Sequence, residues 1–196
     1  KGITLVAATK GKPIGKTQEA ISAGITIIGE NYVQEAAEKY KQLANQAQFH
    51  LIGHLQRNKV REAVRIFDMI QTVDSLPLAQ KINGECAKRN KIMPVLIEIN
   101  IAQEENKSGC APEEARKLAA EISKLTNLRL QGLMAMGPAI ADAEKLRQYF
   151  KEMRAIFDKL QKEYNLSILS MGMSNSYKVA LEEGATLVRI GKGIFE

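Results

Sequence analysis

The feature that most restricts the fold of this chain is a strict alternation of short apolar runs with longer amphipathic runs. Eight runs rich in β-branched and apolar residues are typical of strands: Ile3–Thr9, Ile25–Ile28, Phe49–Ile52, Phe67–Val73, Met93–Ile101, Leu128–Leu133, Leu166–Ser170 and Ala185–Ile190. The seven runs between them are typical of helices: Pro13–Ala23, Asn31–Ala44, Asn58–Ile66, Ser75 (or its neighbour Asp74) to Arg89, Pro112–Leu125, Ala141–Tyr164 and Asn175–Glu183. This order predicts an α/β protein with a parallel sheet closed as a TIM (β/α)8 barrel. A doubly wound open sheet is the alternative.

The domain organisation follows from length and from the absence of linkers in the sequence. A chain of 196 residues with no low-complexity tract predicts a single domain, 1–196, with its own core. Lys1 stands where an initiator methionine is expected, and the chain stops soon after the eighth strand. We therefore expect a chain trimmed at both ends.

Composition and charge limit the kinds of partner that we expect this chain to bind. The formal net charge is +6, but basic residues alternate with glutamates along runs such as Lys145–Arg154, which is typical of solvated helix faces and not of a nucleic-acid surface. No apolar run reaches membrane-spanning length. Cys86 and Cys110 form neither a disulfide framework nor a metal-like spacing. We expect a cytoplasmic protein with no metal site, and a monomer because no long apolar stripe stands out.

Polar or small residues follow almost every predicted strand. In a parallel barrel the carboxyl ends of all strands form one rim, so these residues would converge there. They are Lys10, Glu30–Asn31, His54, Gln56, Asn58, Glu98, Asn100, Met134–Gly137, Ser170–Ser176 and Arg189–Gly193. The sequence therefore predicts a ligand site at this rim.

Lys10 ends the first predicted strand and has two readings. It either points to water, or it turns inward on the face that carries Val6 and Ala8. An inward ammonium is partly desolvated, its pKa falls, and it becomes a candidate for a Schiff base. By the same alternation, an inward Arg189 on the eighth strand brings Leu187 inward.

Two glycine-containing loops point to an anion. Gly172–Ser176 combines a glycine, two hydroxyls and the start of a helix, and Gly191–Gly193 offers backbone N–H groups. Barrels often hold phosphate with the loops that follow strands seven and eight. The alternative is that Ser174 only caps its helix and that the glycines only turn the chain.

Other residues give weaker signals. His50 alternates with Leu51 on a strand and is expected to be a core histidine, while His54 is a candidate acid–base group and Gln56 an equally plausible ligand contact. Four methionines are expected to be core, with an apolar lining of the barrel mouth as the alternative: Met134, Met136, Met171 and Met173.

The chain resembles the pyridoxal phosphate homeostasis proteins, which are related in fold to the N-terminal barrel of alanine racemases. The resemblance runs through almost the whole chain. Its motifs are Leu5–Lys10, Gly29–Glu35, His50–Lys59, Ile99–Asn100 with Lys107–Gly109, Gly132–Met134, Ser170–Ser174 and Val188–Gly191.

The resemblance implies pyridoxal 5′-phosphate (PLP) as the cofactor, held as a Schiff base on Lys10. It places Ser174, with the backbone of Ser176, Gly191 and Lys192, near the phosphate. The family often has a hydroxyl residue at the position of Lys192, so here the N–H and the charge are the expected contributions.

The resemblance also implies contacts to the ring and a function. Arg189 would lie near the pyridine edge, and Asn58 and Met171 would line the ring. The expected function is storage of PLP and its delivery to PLP-dependent apoenzymes. A PLP-dependent amino acid racemase is the alternative, although the β-domain that gives racemases their tyrosine base has no counterpart here. From the residues alone, a Schiff-base aldolase acting on a sugar phosphate through Lys10 is a third hypothesis.

Overall fold

Eight parallel strands close into a barrel in the order of the chain, and the last strand pairs with the first. The computed structural model describes residues 2–138, 140 and 142–196. The strands are β1 (Thr4–Ala8), β2 (Ile27–Glu30), β3 (Gln48–Leu51), β4 (Met69–Val73), β5 (Met93–Ile99), β6 (Leu128–Ala135), β7 (Ile168–Ser170) and β8 (Leu187–Ile190). The predicted TIM barrel is confirmed, and the open-sheet alternative is wrong.

Helices follow the strands around the outside of the barrel. They are α1 (Ile14–Ser22), α2 (Val33–Leu43), α3 (Val60–Ile66), α4 (Leu76–Ala87), α5 (Ala115–Ile122), α6 (Ala143–Tyr164), α7 (Tyr177–Glu182) and α8 (Lys192–Phe195). Short 3₁₀ turns at Arg57–Lys59 and Pro112–Glu114 precede α3 and α5. Over the described ranges, no helix is both long and apolar enough to cross a membrane.

The element bounds differ from the sequence predictions in physically simple ways. The sequence predicts no eighth helix, because the four residues of α8 are too few to show a helical period. The predicted start of the sixth helix, Ala141, lies outside the described residues. The predicted seventh strand begins at Leu166, which is buried but lies before β7. An apolar run indicates burial, whereas a strand residue also needs a hydrogen-bonded neighbouring strand.

The barrel interior has an apolar floor and a polar layer above it. Met69, Leu96 and Met134, with Ile168, form an apolar cluster separate from the main core. Two residues further along β4 and β7 lie Gln71 and Ser170, which share the faces of Met69 and Ile168 because strand side chains alternate. The larger core lies between the strands and the helices. The polar layer therefore faces the carboxyl-end mouth.

Candidate functional site

Lys10 lies at the rim of the mouth. Because β1 ends at Ala8, Lys10 belongs to a turn and its side chain is exposed. Of the two readings of Lys10, the structure shows the side chain exposed to water, and its role in a Schiff base stays a prediction. Ala8 is half-buried, and a Cβ added at Gly191 would lie 3.5 Å from the Ala8 Cβ. The first and eighth strand ends thus meet through small residues.

A buried ion cluster lies beneath the Lys10 turn. The Lys39 ammonium donates to the Thr9 carbonyl oxygen at 2.6 Å, to Glu30 Oε1 at 2.6 Å and to Glu35 Oε1 at 2.9 Å. The Thr9 hydroxyl donates to Glu30. The Gly11 N–H donates to Glu35 Oε1 at 2.6 Å. We call Thr9, Glu30, Glu35 and Lys39 the outer cluster, since α2 carries two of its members.

The loops after β7 and β8 are joined by one hydroxyl. Ser174 Oγ accepts from the backbone N–H groups of Gly191 and Gly193, both at 3.3 Å. The residue that precedes α7 is Ser176, so the alternative that Ser174 caps this helix is wrong. The Ser176 N–H donates to the Met173 carbonyl at 2.9 Å. The backbone N–H that the resemblance assigns to the phosphate is therefore hydrogen-bonded within this turn.

These loops fit a phosphate ester. Two backbone N–H groups, from Gly191 and Gly193, point at one oxygen, and a phosphate oxygen is an acceptor of the same kind. Gly172 has a φ of +94°, and a Cβ there would lie 2.6 Å from the Ala180 Cβ, so the loop can approach α7 only with glycine. The exposed Lys192 adds a positive charge beside the two N–H groups.

The polar layer of the barrel is one connected network. Arg189 is 3% exposed, and it donates to Ser170 Oγ at 2.5 Å and to the Ala135 carbonyl at 2.9 Å. Ser170 Oγ donates to Gln71 Oε1 at 2.7 Å, and Gln71 Nε2 hydrogen-bonds His50 Nδ1 at 3.1 Å. We call Arg189, Ser170, Gln71 and His50 the inner network. The prediction of a core His50 is confirmed, and Arg189 points into the barrel.

Burial shifts the pKa values of the two basic groups in the inner network. Desolvation lowers the pKa of Arg189 to about 10, and the nearby Glu98 opposes this shift. Desolvation also lowers the pKa of His50 to about 4. His50 is therefore neutral at physiological pH, and Arg189 carries the positive charge of the network.

Glu98 lies at the mouth side of β5, on the face of Leu96. It is 4% exposed, and its Oε2 has no hydrogen-bond partner within the described part of the chain. Burial raises the pKa of Glu98 to about 7; the charge of Asp74 raises it further and that of Arg189 lowers it. Both protonation states of this carboxyl are accessible near neutral pH.

Two of the predicted ring contacts differ in placement. Asn58 lies in a 3₁₀ turn and is exposed, so its side chain remains a candidate at the rim. Met171 is fully buried in the outer core. Because Ser170 points into the barrel, alternation sends Met171 toward the helices. The contact between the Met171 side chain and the ring stays a prediction.

The remaining rim residues divide by exposure. His54 is exposed, with Nδ1 3.6 Å from Asp74 Oδ2. The expectation of a core position holds for Met134, which lies in the barrel floor, but is wrong for Met136 and Met173, which are exposed large apolar side chains. Apolar surface is thus available at two neighbouring strand ends.

Two residues of the described polar clusters escaped the sequence analysis. Gln71 interrupts the apolar strand β4, and a polar residue at that position is a signal for a polar barrel interior. Lys39 stands four residues after Glu35 in α2, which is the spacing of an ordinary surface ion pair. Its burial depends on tertiary packing against β1 and β2, which no local pattern reports.

The fold and this mouth define the chain as an eight-stranded parallel barrel of the alanine racemase N-terminal type. The family described as alanine racemase, N-terminal domain, matches residues 5–196. The structure of an alanine racemase from Clostridium difficile superposes with a TM-score of 0.81 at 19% identity, covering 99% of this chain and 52% of that chain. At this identity the likeness shows the fold alone.

More similar proteins identify the family. A pyridoxal phosphate homeostasis protein of Aquifex aeolicus is 40% identical over 194 residues, which are 97% of this chain and 85% of that protein. One of Escherichia coli is 40% identical over 200 residues, with 98% and 85% covered. The chain belongs to the pyridoxal phosphate homeostasis protein family, as its motifs suggest. The structure of PipY from Synechococcus elongatus with PLP bound has a TM-score of 0.91 at 32% identity, covering 99% of this chain and 92% of that chain.

Proposed function

We propose that this chain binds PLP and serves PLP homeostasis by storing the cofactor and delivering it to PLP-dependent apoenzymes. The observation that carries the proposal is that three groups stand at the paired strands β1 and β8: the exposed Lys10, the N–H pair of Gly191 and Gly193, and the buried Arg189. Relatives bear the name pyridoxal phosphate homeostasis protein, and the similar PipY structure holds PLP.

Each part of the mouth has a separate task. A phosphate oxygen would replace Ser174 Oγ as the acceptor of the Gly191 and Gly193 N–H groups, the freed Ser174 hydroxyl would donate to the phosphate, and Lys192 would supply positive charge. Arg189 presents a guanidinium, held by Ser170, toward the pyridine edge.

Lys10 supplies the covalent link. PLP supplies an aldehyde with which a lysine amine condenses to a Schiff base: the C=N bond forms, and the carbonyl oxygen leaves as water. Asn58, exposed at the rim, would flank the ring.

The exposure of Lys10 favours storage and transfer over rapid catalysis. Fast proton abstraction benefits from a water-excluded site with a positioned base, whereas an exposed amine leaves the cofactor accessible to a receiving protein. We infer a cytoplasmic protein that acts as a monomer, with residues 1–196 as one PLP-binding domain. The racemase and aldolase hypotheses stay open as alternatives, and the experiments below separate them.

The first experiment is titration of the purified chain with PLP. We expect an absorbance band at about 420 nm that borohydride abolishes. Peptide mass analysis should then locate the reduced adduct on Lys10. Lys10→Ala removes the band, and Lys12→Ala keeps it, since Lys12 is a neighbouring lysine that pairs with Glu196. A chain that PLP leaves colourless, or an adduct on another lysine, contradicts the proposal.

The second experiment tests turnover. The PLP-loaded chain is incubated with a panel of free L-amino acids, and racemisation is followed by chiral chromatography. We expect little or none. Sustained turnover above about 1 per second would establish the racemase instead. If no PLP band forms, release of a carbonyl product from sugar phosphates, dependent on Lys10, would favour the aldolase.

A further inference from the structure

The Lys39 ammonium is buried although Glu38 and Lys41, its charged neighbours on α2, are exposed. Lys39 is 3% exposed, and its three acceptors are the Thr9 carbonyl, Glu30 Oε1 and Glu35 Oε1, at 2.6 to 2.9 Å. A lysine ammonium has three N–H donors. All three are used, so the direction of every bond is defined.

These bonds reach the residues on both sides of Lys10. Thr9 precedes Lys10, and its carbonyl accepts from Lys39 directly. Gly11 follows Lys10, and its N–H donates to Glu35, which Lys39 holds. Gly11 has a φ of +67°, a conformation that suits glycine. The turn that carries Lys10 is thus tied at both ends to one buried cation.

Stability alone does not account for this arrangement. Taking Lys39 and Glu30 out of water costs free energy, and an apolar pair of similar volume is often as stable or more stable. Glu30 also has an Oε2 without a hydrogen-bond partner among the residues that the structure describes. The feature that an apolar pair could not supply is the set of directional bonds to the backbone around Lys10.

We propose that Lys39 and Glu35 are positioning residues for Lys10: they hold the backbone on both sides of it so that its amine meets the cofactor aldehyde in a reactive orientation. This inference rests on the proposed function. Fixing the turn removes the entropy cost of orienting the amine. Loss of either residue should therefore weaken attachment of the cofactor and leave recognition of its phosphate intact.

The test compares two ligands that differ at one group. PLP carries the aldehyde, and pyridoxamine 5′-phosphate carries an amine there and cannot condense with lysine. We expect Glu35→Ala to weaken PLP binding about tenfold and pyridoxamine 5′-phosphate binding less than about twofold. Glu35→Gln, whose amide oxygen still accepts from Gly11, should restore most of the PLP affinity. Glu38→Ala removes an exposed ion pair with Lys41 on the same helix and should change neither affinity.

A double variant tests Lys39 without leaving a lone buried charge. Glu30→Gln/Lys39→Met replaces the ion pair by neutral groups, and we expect the same selective loss of PLP affinity. Equal losses for both ligands, or no loss for PLP, would overturn the inference and leave the proposed function standing. If borohydride reduction of the PLP-treated parent chain yields no adduct at Lys10, the proposed function fails, and the inference fails with it.

Discussion

The outer cluster and the inner network both bury a cation, and they do so in opposite ways. In the outer cluster, Lys39 contacts two carboxylates, Glu30 and Glu35, at 2.6 and 2.9 Å. In the inner network, the groups that accept hydrogen bonds from Arg189 are neutral: the Ser170 hydroxyl and the Ala135 backbone carbonyl. The first arrangement fixes its charges. The second leaves the Arg189 charge on neutral acceptors, where the proposed cofactor could pair with it.

The pKa shifts reflect this difference. Burial lowers the pKa of Arg189 to about 10 and raises that of Glu98 to about 7, and among the residues that the structure describes neither group forms a direct ion pair. The inner layer therefore holds charge that responds to pH and to ligands. The outer cluster is suited to hold the backbone, as we propose for the Lys10 turn, and its disruption should cost more.

The largest effect is expected from breaking the outer cluster. Lys39→Met leaves the fully buried Glu30 without its cation, which should lower the free energy of unfolding by about 3–5 kcal/mol. Urea unfolding followed by circular dichroism measures this. Because burial already raises the pKa of Glu30, protonation relieves the lone charge, so the loss should be smaller at pH 5 than at pH 8.

Two controls separate this effect from simple loss of a lysine. Glu30→Gln/Lys39→Met should recover most of the stability, because no buried charge remains unpaired. Lys41→Met, on the exposed face of α2, should change the free energy of unfolding by less than about 0.5 kcal/mol. If Lys39→Met is as mild as Lys41→Met, the buried ion pair does not exist in solution.

A stabilising change is expected in the inner layer. The folded-state pKa of Glu98, about 7, lies above its ordinary value of 4.5. Between these two pH values the folded chain keeps a proton that the unfolded chain has lost, so the free energy of unfolding falls as pH rises. Glu98→Gln abolishes this loss, and it should be more stable than the parent by about 2–3 kcal/mol at pH 8.

The pH profile makes this prediction specific. The advantage of Glu98→Gln should shrink steadily below pH 7 and vanish near pH 4.5, where the parent carboxyl is protonated in both states. Glu152→Gln, an exposed change on α6, should show no such profile. A constant difference between Glu98→Gln and the parent at all pH values would mean that burial does not perturb this carboxyl.

A smaller loss is expected within the inner network. Ser170→Ala removes the acceptor of Arg189 Nη1 and the donor to Gln71 Oε1, which should cost about 1–2 kcal/mol in unfolding free energy. The matched control is Ser167→Ala, an exposed serine just before β7, which should be near neutral. A loss as large as that of Lys39→Met would erase the contrast between the two clusters.

The fold was predictable because it depends on local periodicity repeated eight times. Each strand and helix longer than about one turn left its own signal, and a parallel closed barrel is the usual outcome of that order. The bounds were less accurate at β7 and α8. Leu166 is a buried apolar residue outside the strand, so its apolar character does not indicate where β7 begins. Helix α8 has four residues, which are too few to show a helical period.

The candidate site was predictable where it follows strand ends, and not where it depends on packing between a helix and the strands. Lys10, Ser174 and Arg189 stand in motifs that adjoin strands, so topology alone brings them to one mouth. Lys39 lies in the middle of α2, and its acceptor Thr9 is 30 residues away. No local pattern indicates that the Lys39 ammonium contacts the Thr9 carbonyl oxygen, and a stripe of charged residues on a helix is usually solvated.

The smallest effect is expected from a charge that lies in neither cluster. Lys192 is exposed beside the N–H groups of Gly191 and Gly193, and its backbone N–H survives substitution. Lys192→Ala should weaken pyridoxamine 5′-phosphate binding about two- to threefold at low salt, because an exposed charge contributes little to binding an anion. At about 1 M salt, where the Debye length is about 3 Å, the difference should disappear. Lys151→Ala, an exposed change on α6, should have no effect at either salt concentration. A loss of tenfold or more that persists at high salt would mean that Lys192 binds the phosphate directly, and the rim would then hold a fixed charge like that of the outer cluster.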